Sequence, residues 1–402
     1  VTMPLFLNSQ QIKTPLSRSK TSCEKCGLYR KCLSPKMPAT GKGEKGIFIL
    51  AEAPGEQEDA RGKQLIGQAG QLLRSHLESL DIDLDRDCRK MNAVNCRPPG
   101  NETPTPMQVS CCRPMVMQEI EAFKPKIVIA LGSTAMECLL GGLSVEDDGG
   151  GITLWRGWGI PDQRLGCWLC PTFHPSFINR HRNQEDAVEK IFHTDLSHAL
   201  DHLAMRFPKI MEQVDSYLEY DLKDDDVIDR IRAACKAPVA AFDYETTALK
   251  PQRQGHAIAY ASICDKWNHS FSFMPNETTT PYLKRFLSSQ AEKYAANMAF
   301  EDTWSIEILK TQVENWNLDT VLAAHIMDNR SSSSNLKFQT YVNFGIPDYS
   351  KDVEHYLKGR NSNDFNKVFS APKRLMYKYN AQDSLFTFWL ALNQKEHVHA
   401  VH

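Results

Sequence analysis

The chain has 402 residues, enough for two or three domains of ~150 residues that each bury a core of their own, so a single small module is excluded. Apolar residues make up 42% of it and charged residues 24%, near globular averages, which excludes a disordered, collagenous or coiled-coil chain. A net charge of −2 excludes a surface coated with Lys and Arg for bulk polyanion binding. Residues 1–47 nevertheless carry nine basic against two acidic side chains, either a solvated terminal segment or a basic arm that meets phosphates.

The longest apolar stretch, Ile127 to Leu140, is interrupted by Gly132, Ser133, Thr134 and Glu137 and falls short of the ~18 residues of a membrane span. The N-terminus lacks the basic, apolar and small-residue order of a secretory signal. These features predict a cytoplasmic protein with no membrane partner. Thiols stay reduced there, so the twelve cysteines, ten of them before Leu200, point to metal chemistry in the first half rather than to disulfides.

In chain order, Gly46 to Ala51 reads as a buried strand running into the turn Glu52-Ala53-Pro54-Gly55, and Gln68 to Leu80 has helical spacing. Met91 to Val94 is a short strand, and Thr105 to Phe123 a helix capped by Thr105. Lys126 to Gly132 is a strand feeding the helix Ser133 to Leu140, and Cys167 to Pro171 is a last strand before Thr172-Phe173-His174-Pro175-Ser176. Alternating strands and helices predict a mostly parallel sheet with its site at the strands' carboxyl ends. The pattern weakens over 205–216, and the acidic run Asp221 to Asp226 marks a domain boundary region. Beyond it Val227 to Cys235 reads as a helix, Val239 to Glu245, His256 to Cys264 and His269 to Phe273 as strands, and helices dominate from Pro281. The expected division is a basic arm (1–22), a first domain (23–205), a linker (206–215) and a second domain (216–402).

Cys23-x-x-Cys26, Cys96 and Cys112 offer four thiolates, a set suited to Zn²⁺ or an iron–sulfur cluster, with Cys32 and Cys111 as near neighbours. Glu52-Ala-Pro-Gly55-x-x-Glu58-Asp59, Gly67-x-Ala69-Gly70, Asn92-x-x-x-Cys96-Arg97-Pro98-Pro99-x-Asn101, Cys112-Arg113-Pro114 and His174-Pro175-Ser176 occur in the order and spacing of the family 4 uracil-DNA glycosylases, which residues 20–200 resemble. The resemblance implies a four-stranded parallel sheet flanked by helices and a [4Fe–4S] cluster on Cys23, Cys26, Cys96 and Cys112. It also implies a catalytic pair: Glu52, an anion below the developing sugar cation that also positions water, and His174, a donor to uracil O2. Asn92 would read the flipped base, with Gly55, Leu65 and Ser176 contacting substrate, and Pro175 and Ser176 would lie in a loop that presses on DNA. Three positions depart from the family: Leu65 replaces an aromatic that stacks on uracil, Ala51 a glycine, and Glu102 an arginine. They keep open an alternative, a non-catalytic iron–sulfur DNA-binding module.

Asp243-x-Glu245 puts two carboxylates on one face of a strand, and Tyr379-x-x-x-Asp383 puts both side chains on one helical face. With Asn297-x-x-Phe300-Glu301-Asp302 between them, these motifs resemble the DEDDy 3′→5′ exonucleases, especially the proofreading domain of polymerase I type enzymes, over residues 216–402. The resemblance implies an RNase H-like domain in which Asp243, Glu245, Glu301 and Asp383 hold two Mg²⁺ or Mn²⁺ ions and Tyr379 orients the attacking water. Glu301 stands where the family has Asp, with Asp302 the neighbouring candidate. Together the two resemblances predict a DNA repair and replication protein acting on uracil-containing DNA and on 3′ ends. The expected setting is part of a bacteriophage polymerase, in the host cytoplasm, with a polymerase domain or subunit beyond His402.

Overall fold

The computed structural model describes residues 22–141, 151–181 and 186–398. Most of the basic arm lies outside them. The chain forms two compact units, one running to Lys209 and including Val342–Gly345, the other made of Ile210–Tyr341 and the chain from Ile346.

The first unit is a five-stranded sheet in the order β2-β1-β3-β5-β4, with β1 Ile47–Ala51, β2 Cys88–Asn92, β3 Ile127–Leu131, β4 Ile160–Asp162 and β5 Cys167–Thr172. Strands β2, β1, β3 and β5 pair in parallel. The expected four-stranded sheet gains the antiparallel edge strand β4, paired with β5; its three residues, Ile160-Pro161-Asp162, are too short and too polar to show a strand pattern. Every residue of β1 and β3 is buried, as required of parallel strands covered by helices on both faces. Ile47, Ile49, Ile127 and Ile129 pack with Leu73, Leu77, Phe192 and Leu196 from the helices Gln68–Glu78 and Asp186–Asp201.

Strand β2 begins three residues before the apolar signal at Met91. Its Lys90 is fully buried and pairs with Asp85, so a charged residue hides the strand. Thr105 caps the helix Pro106–Phe123 through a reciprocal capping box with Gln108, the arrangement that satisfies two orphan backbone donors at a helix start.

The second unit is a six-stranded sheet in the order β11-β10-β7-β8-β9-β6, with β6 Leu218–Glu219, β7 Val239–Thr246, β8 Ile258–Lys266, β9 His269–Phe273, β10 Glu292–Ala295 and β11 Trp316–Asp319. Strand β8 runs antiparallel to β7 and β9, whereas β10 and β11 run parallel to β7. That order and those directions define an RNase H-like sheet. Phe242 and Tyr244 point from β7 into one core, where Phe242 stacks on Trp316 at 5.4 Å and the Tyr244 hydroxyl meets Ser305 Oγ at 3.1 Å. The alternate residues Asp243 and Glu245 therefore face the other way, toward the 26-residue helix Lys373–Val398.

Two expectations change here. The acidic residues Asp224, Asp225 and Asp226 form the first turn of the helix Asp224–Ala234; carboxylates gather there because the helix N-terminus carries partial positive charge. After Pro281 the chain still supplies β10 and β11, the first obscured by the buried Lys293, whose ammonium bonds the Ser289 carbonyl at 2.5 Å. Among the described residues no helix is long and apolar enough to cross a membrane.

Candidate active sites

In the first unit the carboxyl ends of four parallel strands deliver four functional segments to one place. Glu52 directly follows β1, Asn92 ends β2, Gly132 and Thr134 follow β3, and His174 lies two residues beyond β5. These residues line one cavity of about 530 Å³ together with Gly55, Leu65 and Ser176, a volume that suits a nucleotide-sized ligand. Thr134 Oγ1 donates to Glu52 Oε2 at 3.1 Å, steering the carboxylate, and Asn92 is buried at 2% exposure. Gly132 has φ +86, and a Cβ there would lie 3.0 Å from the Cβ of His174, so glycine lets the β3 turn pass the histidine.

The His174 imidazole has a defined proton position. The Ser176 backbone N–H donates to Nδ1 at 3.2 Å and the Ser176 hydroxyl lies 2.7 Å from the same nitrogen. Nδ1 is thus the acceptor, and the proton of the neutral ring sits on Nε2. Burial, reinforced by Arg180, lowers the imidazole to about 4, so the ring is neutral at pH 7 and donates from Nε2. Pro175 and Ser176 open the helix Pro175–His181 rather than lying in a loop; Pro at the first helical position gives up an amide that has no partner there anyway.

Leu65 has φ +54 and is buried in the core. A branched residue in the left-handed region is uncommon, and two neighbours hold it there. Glu58 Oε1 accepts from the backbone N–H of Ile66 at 3.1 Å and of Gly67 at 2.7 Å, and a Cβ on Gly70 would lie 2.1 Å from the Leu65 carbonyl oxygen. Glu58 and Thr134 are positioning residues that sequence reasoning did not assign, although Glu58 lay inside a quoted motif.

Beside this cavity, Cys23, Cys26, Cys96, Cys111 and Cys112 line a small pocket with Asn95. All are free thiols, and both polar atoms of the buried Asn95 amide lack a partner, as expected where a polar group belongs alongside. A single zinc with ~2.3 Å bonds to sulfur needs sulfurs about 4 Å apart. Several thiols around one pocket suit either a zinc or an iron–sulfur cluster. Burial pushes the thiols up, Cys96 to about 12 and Cys112 to about 11, while the Lys36 N–H donates to Cys96 Sγ at 3.2 Å. Cys111 Sγ instead lies 3.7 Å from Met107 Sδ, one turn back on its own helix. If the expected set of Cys23, Cys26, Cys96 and Cys112 holds a [4Fe–4S] cluster, Cys112→Ser should abolish bound iron and visible absorbance and Cys111→Ser should keep both, as read by iron analysis of anaerobically purified protein.

In the second unit Asp243, Glu245 and Asp383 place one carboxylate oxygen each within 4.8 Å of the others. Glu301, on the helix Met298–Glu307, is 2% exposed and its Oε2 has no partner. Burial and mutual repulsion raise Asp243, Glu245 and Glu301 well above the ordinary carboxylate range. Clustered oxygen donors and an orphaned buried oxygen fit hard divalent cations. Asp302 turns away and accepts from Trp316 Nε1 at 3.3 Å. Asp319 Oδ1 and Oδ2 accept from the N–H groups of Asn297, Met298, Val321 and Leu322, bracing the helix that carries Glu301. Asn380 Nδ2 donates to Asp243 Oδ2 at 2.8 Å, one turn of helix before Asp383.

Three neighbours of Asp383 complete this centre. Tyr379, expected from the sequence, is buried at 8% exposure. Tyr349 donates its hydroxyl to Asp383 Oδ1 at 2.5 Å, and Lys337 pairs with the same oxygen. Neither Tyr349 nor Lys337 was foreseen, since neither sits in a motif with fixed spacing to the acids.

Residues 38–196 match the uracil DNA glycosylase superfamily. The chain is 34% identical to the type-4 uracil-DNA glycosylase of Thermotoga maritima over 178 residues, 44% of this chain and 88% of that protein. The chain belongs to the type-4 uracil-DNA glycosylase family. It is also 26% identical over 223 residues to the DNA polymerase of Bacillus phage SP01, which spans 54% of this chain and 23% of that protein. Among solved structures it is similar to Escherichia coli RNase D, an exoribonuclease, at 14% identity and a TM-score of 0.36, covering 46% of this chain and 45% of that one.

Proposed function

We propose that this chain excises uracil from DNA in its first unit and removes 3′ nucleotides with divalent cations in its second, in the service of a phage DNA polymerase. Convergence of Glu52, Asn92 and His174 on one cavity at the ends of β1, β2 and β5 carries the first activity. Asn92 hydrogen-bonds the Watson–Crick edge of a flipped uracil, and His174 donates from Nε2 to O2 as charge builds on the departing base. Glu52, held by Thr134, stabilises the developing sugar cation and positions the water that captures it. Cys23, Cys26, Cys96 and Cys112 would hold a [4Fe–4S] cluster, and thiolate ligation there would tie the 23–26 segment to the helix at Cys112 as a structural element.

In the second unit Asp243, Glu245, Glu301 and Asp383 would hold two Mg²⁺ or Mn²⁺ ions, which when bound activate water and stabilise the leaving 3′ oxygen. Leu249 and Phe300 line an open cavity with Lys250, Thr303 and Trp304 and offer apolar surface to a terminal base. Tyr379 orients the attacking water. Replacing Glu301 by Gln is expected to slow nucleotide release about 10²–10³-fold through loss of a cation ligand. Asp302→Asn should leave release unchanged, because its partner is Trp316.

Leu65 and Glu102 favour a second reading in which the first unit binds uracil-DNA without cutting it. A 5′-labelled strand with one internal uracil separates the two. With EDTA, followed by alkali, uracil excision gives a break at the uracil, and tight binding without a break supports the second reading. With Mg²⁺, the same strand should shorten from its 3′ end.

A further inference from the structure

The acid cluster of the second unit contains a cation of its own. Lys337, in the helix Leu336–Phe344, pairs with Asp383 Oδ1 and donates to the Tyr349 hydroxyl at 3.0 Å. Its ammonium lies 4.1 Å from the Tyr349 ring centre and 4.5 Å from that of Tyr379. Two aromatic faces and one carboxylate thus confine a flexible lysine tip, with 19% of the side chain exposed. Such confinement differs from an exposed surface ion pair, where the entropy lost in holding two long side chains in one geometry offsets most of the attraction. It also sets the positive charge beside the carboxylates that would hold the cations.

Resting on the exonuclease reading above, we propose that Lys337 binds the phosphodiester that is cut, as a positioning cation for the 3′-terminal linkage. With Asp383 serving as a cation ligand, the Lys337 ammonium would be disfavoured on that oxygen by like charge, and a phosphate oxygen brought to the same centre would be the acceptor that replaces it. The tyrosine faces keep the ammonium in reach throughout. Lysine suits this role because a point charge with three rotatable donors can change acceptors without losing its cation–π partners.

The test is a charge-deletion cycle on the full chain in Ca²⁺, read by fluorescence anisotropy. Two strands are compared, one all-phosphate and one whose 3′-terminal linkage is an uncharged methylphosphonate, against wild type, Lys337→Ala and Lys337→Arg. Wild type should bind the methylphosphonate strand about tenfold more weakly, the size of one charge-assisted contact. K337A should bind both strands alike, at the weaker level, and K337R should keep the discrimination. Unchanged hydrogen exchange in the helix Lys373–Val398 verifies that the variants are folded. If K337A discriminates as wild type does, or binds DNA normally but Mn²⁺ more tightly, Lys337 is only a counter-ion for Asp383 and the proposal is overturned. A parallel Mg²⁺ assay keeps the two readings apart: wild type that releases no nucleotide overturns the exonuclease reading itself.

Discussion

Asp243→Asn is expected to cut metal-dependent nucleotide release by about 10³-fold, the loss of several kcal/mol of cation-derived stabilisation, while making the metal-free second unit more stable. The two effects share one cause. Asp243, Glu245 and Glu301 are buried together and hold their protons well above the ordinary carboxylate range. The folded, metal-free unit therefore binds protons at pH values where the unfolded chain has lost them. Its stability is greatest in acid and declines as pH rises above the ordinary carboxylate range. Divalent cations should reverse that decline, so stabilisation by Mg²⁺ should grow with pH. An Asn at 243 removes one repelling charge and flattens the dependence, a gain in stability of the kind that accompanies loss of a strained functional site. Hydrogen exchange in β7 at pH 5 and pH 8, with and without Mg²⁺, measures this. Metal-free protection that rises with pH in wild type would contradict the burial-driven shifts.

Glu52→Gln is expected to slow uracil excision about 10³-fold with little change in binding of uracil-containing DNA. A carboxylate about 4 Å from a developing cation contributes roughly 4 kcal/mol at an effective dielectric constant near 20, which converts to about that factor. The pH profile should carry a second signature. Since His174 is held to about 4, its loss of charge occurs well below neutrality, and excision should not titrate with an imidazole between pH 5 and 8. Single-turnover rates across that range decide the matter. A rate that falls as pH rises through 6.5 would mean that His174 acts as an imidazolium.

Much of both sites was legible because their residues sit at strand and helix ends with fixed spacing. Period-two geometry puts Asp243 and Glu245 on one face, and the four-residue step from Tyr379 puts Asp383 on the same helical face. Buried lysines concealed what propensity alone could not show: Lys90 masks the start of β2 and Lys293 masks β10. The acidic run Asp221 to Asp226 read as a domain boundary region because charge pattern does not distinguish solvated coil from the first turn of a helix, which Asp224 to Asp226 form. Residues that act through another, such as Thr134 on Glu52, Asn380 on Asp243 and Lys337 on Asp383, are joined by tertiary contact rather than sequence interval. The resemblance located the cysteines at 23, 26, 96 and 112, and because Cys111 lines the same pocket as Cys112, the choice between those two rests on the motif.

The most direct test of two chemistries in one chain is a reciprocal separation, measuring uracil excision in EDTA and nucleotide release in Mg²⁺ for wild type, Glu52→Gln and Asp243→Asn from matched, iron-loaded preparations. Wild type should perform both reactions, Glu52→Gln only nucleotide release, and Asp243→Asn only uracil excision. Loss of both activities in either variant, or the absence of one from iron-replete wild type, would contradict the assignment.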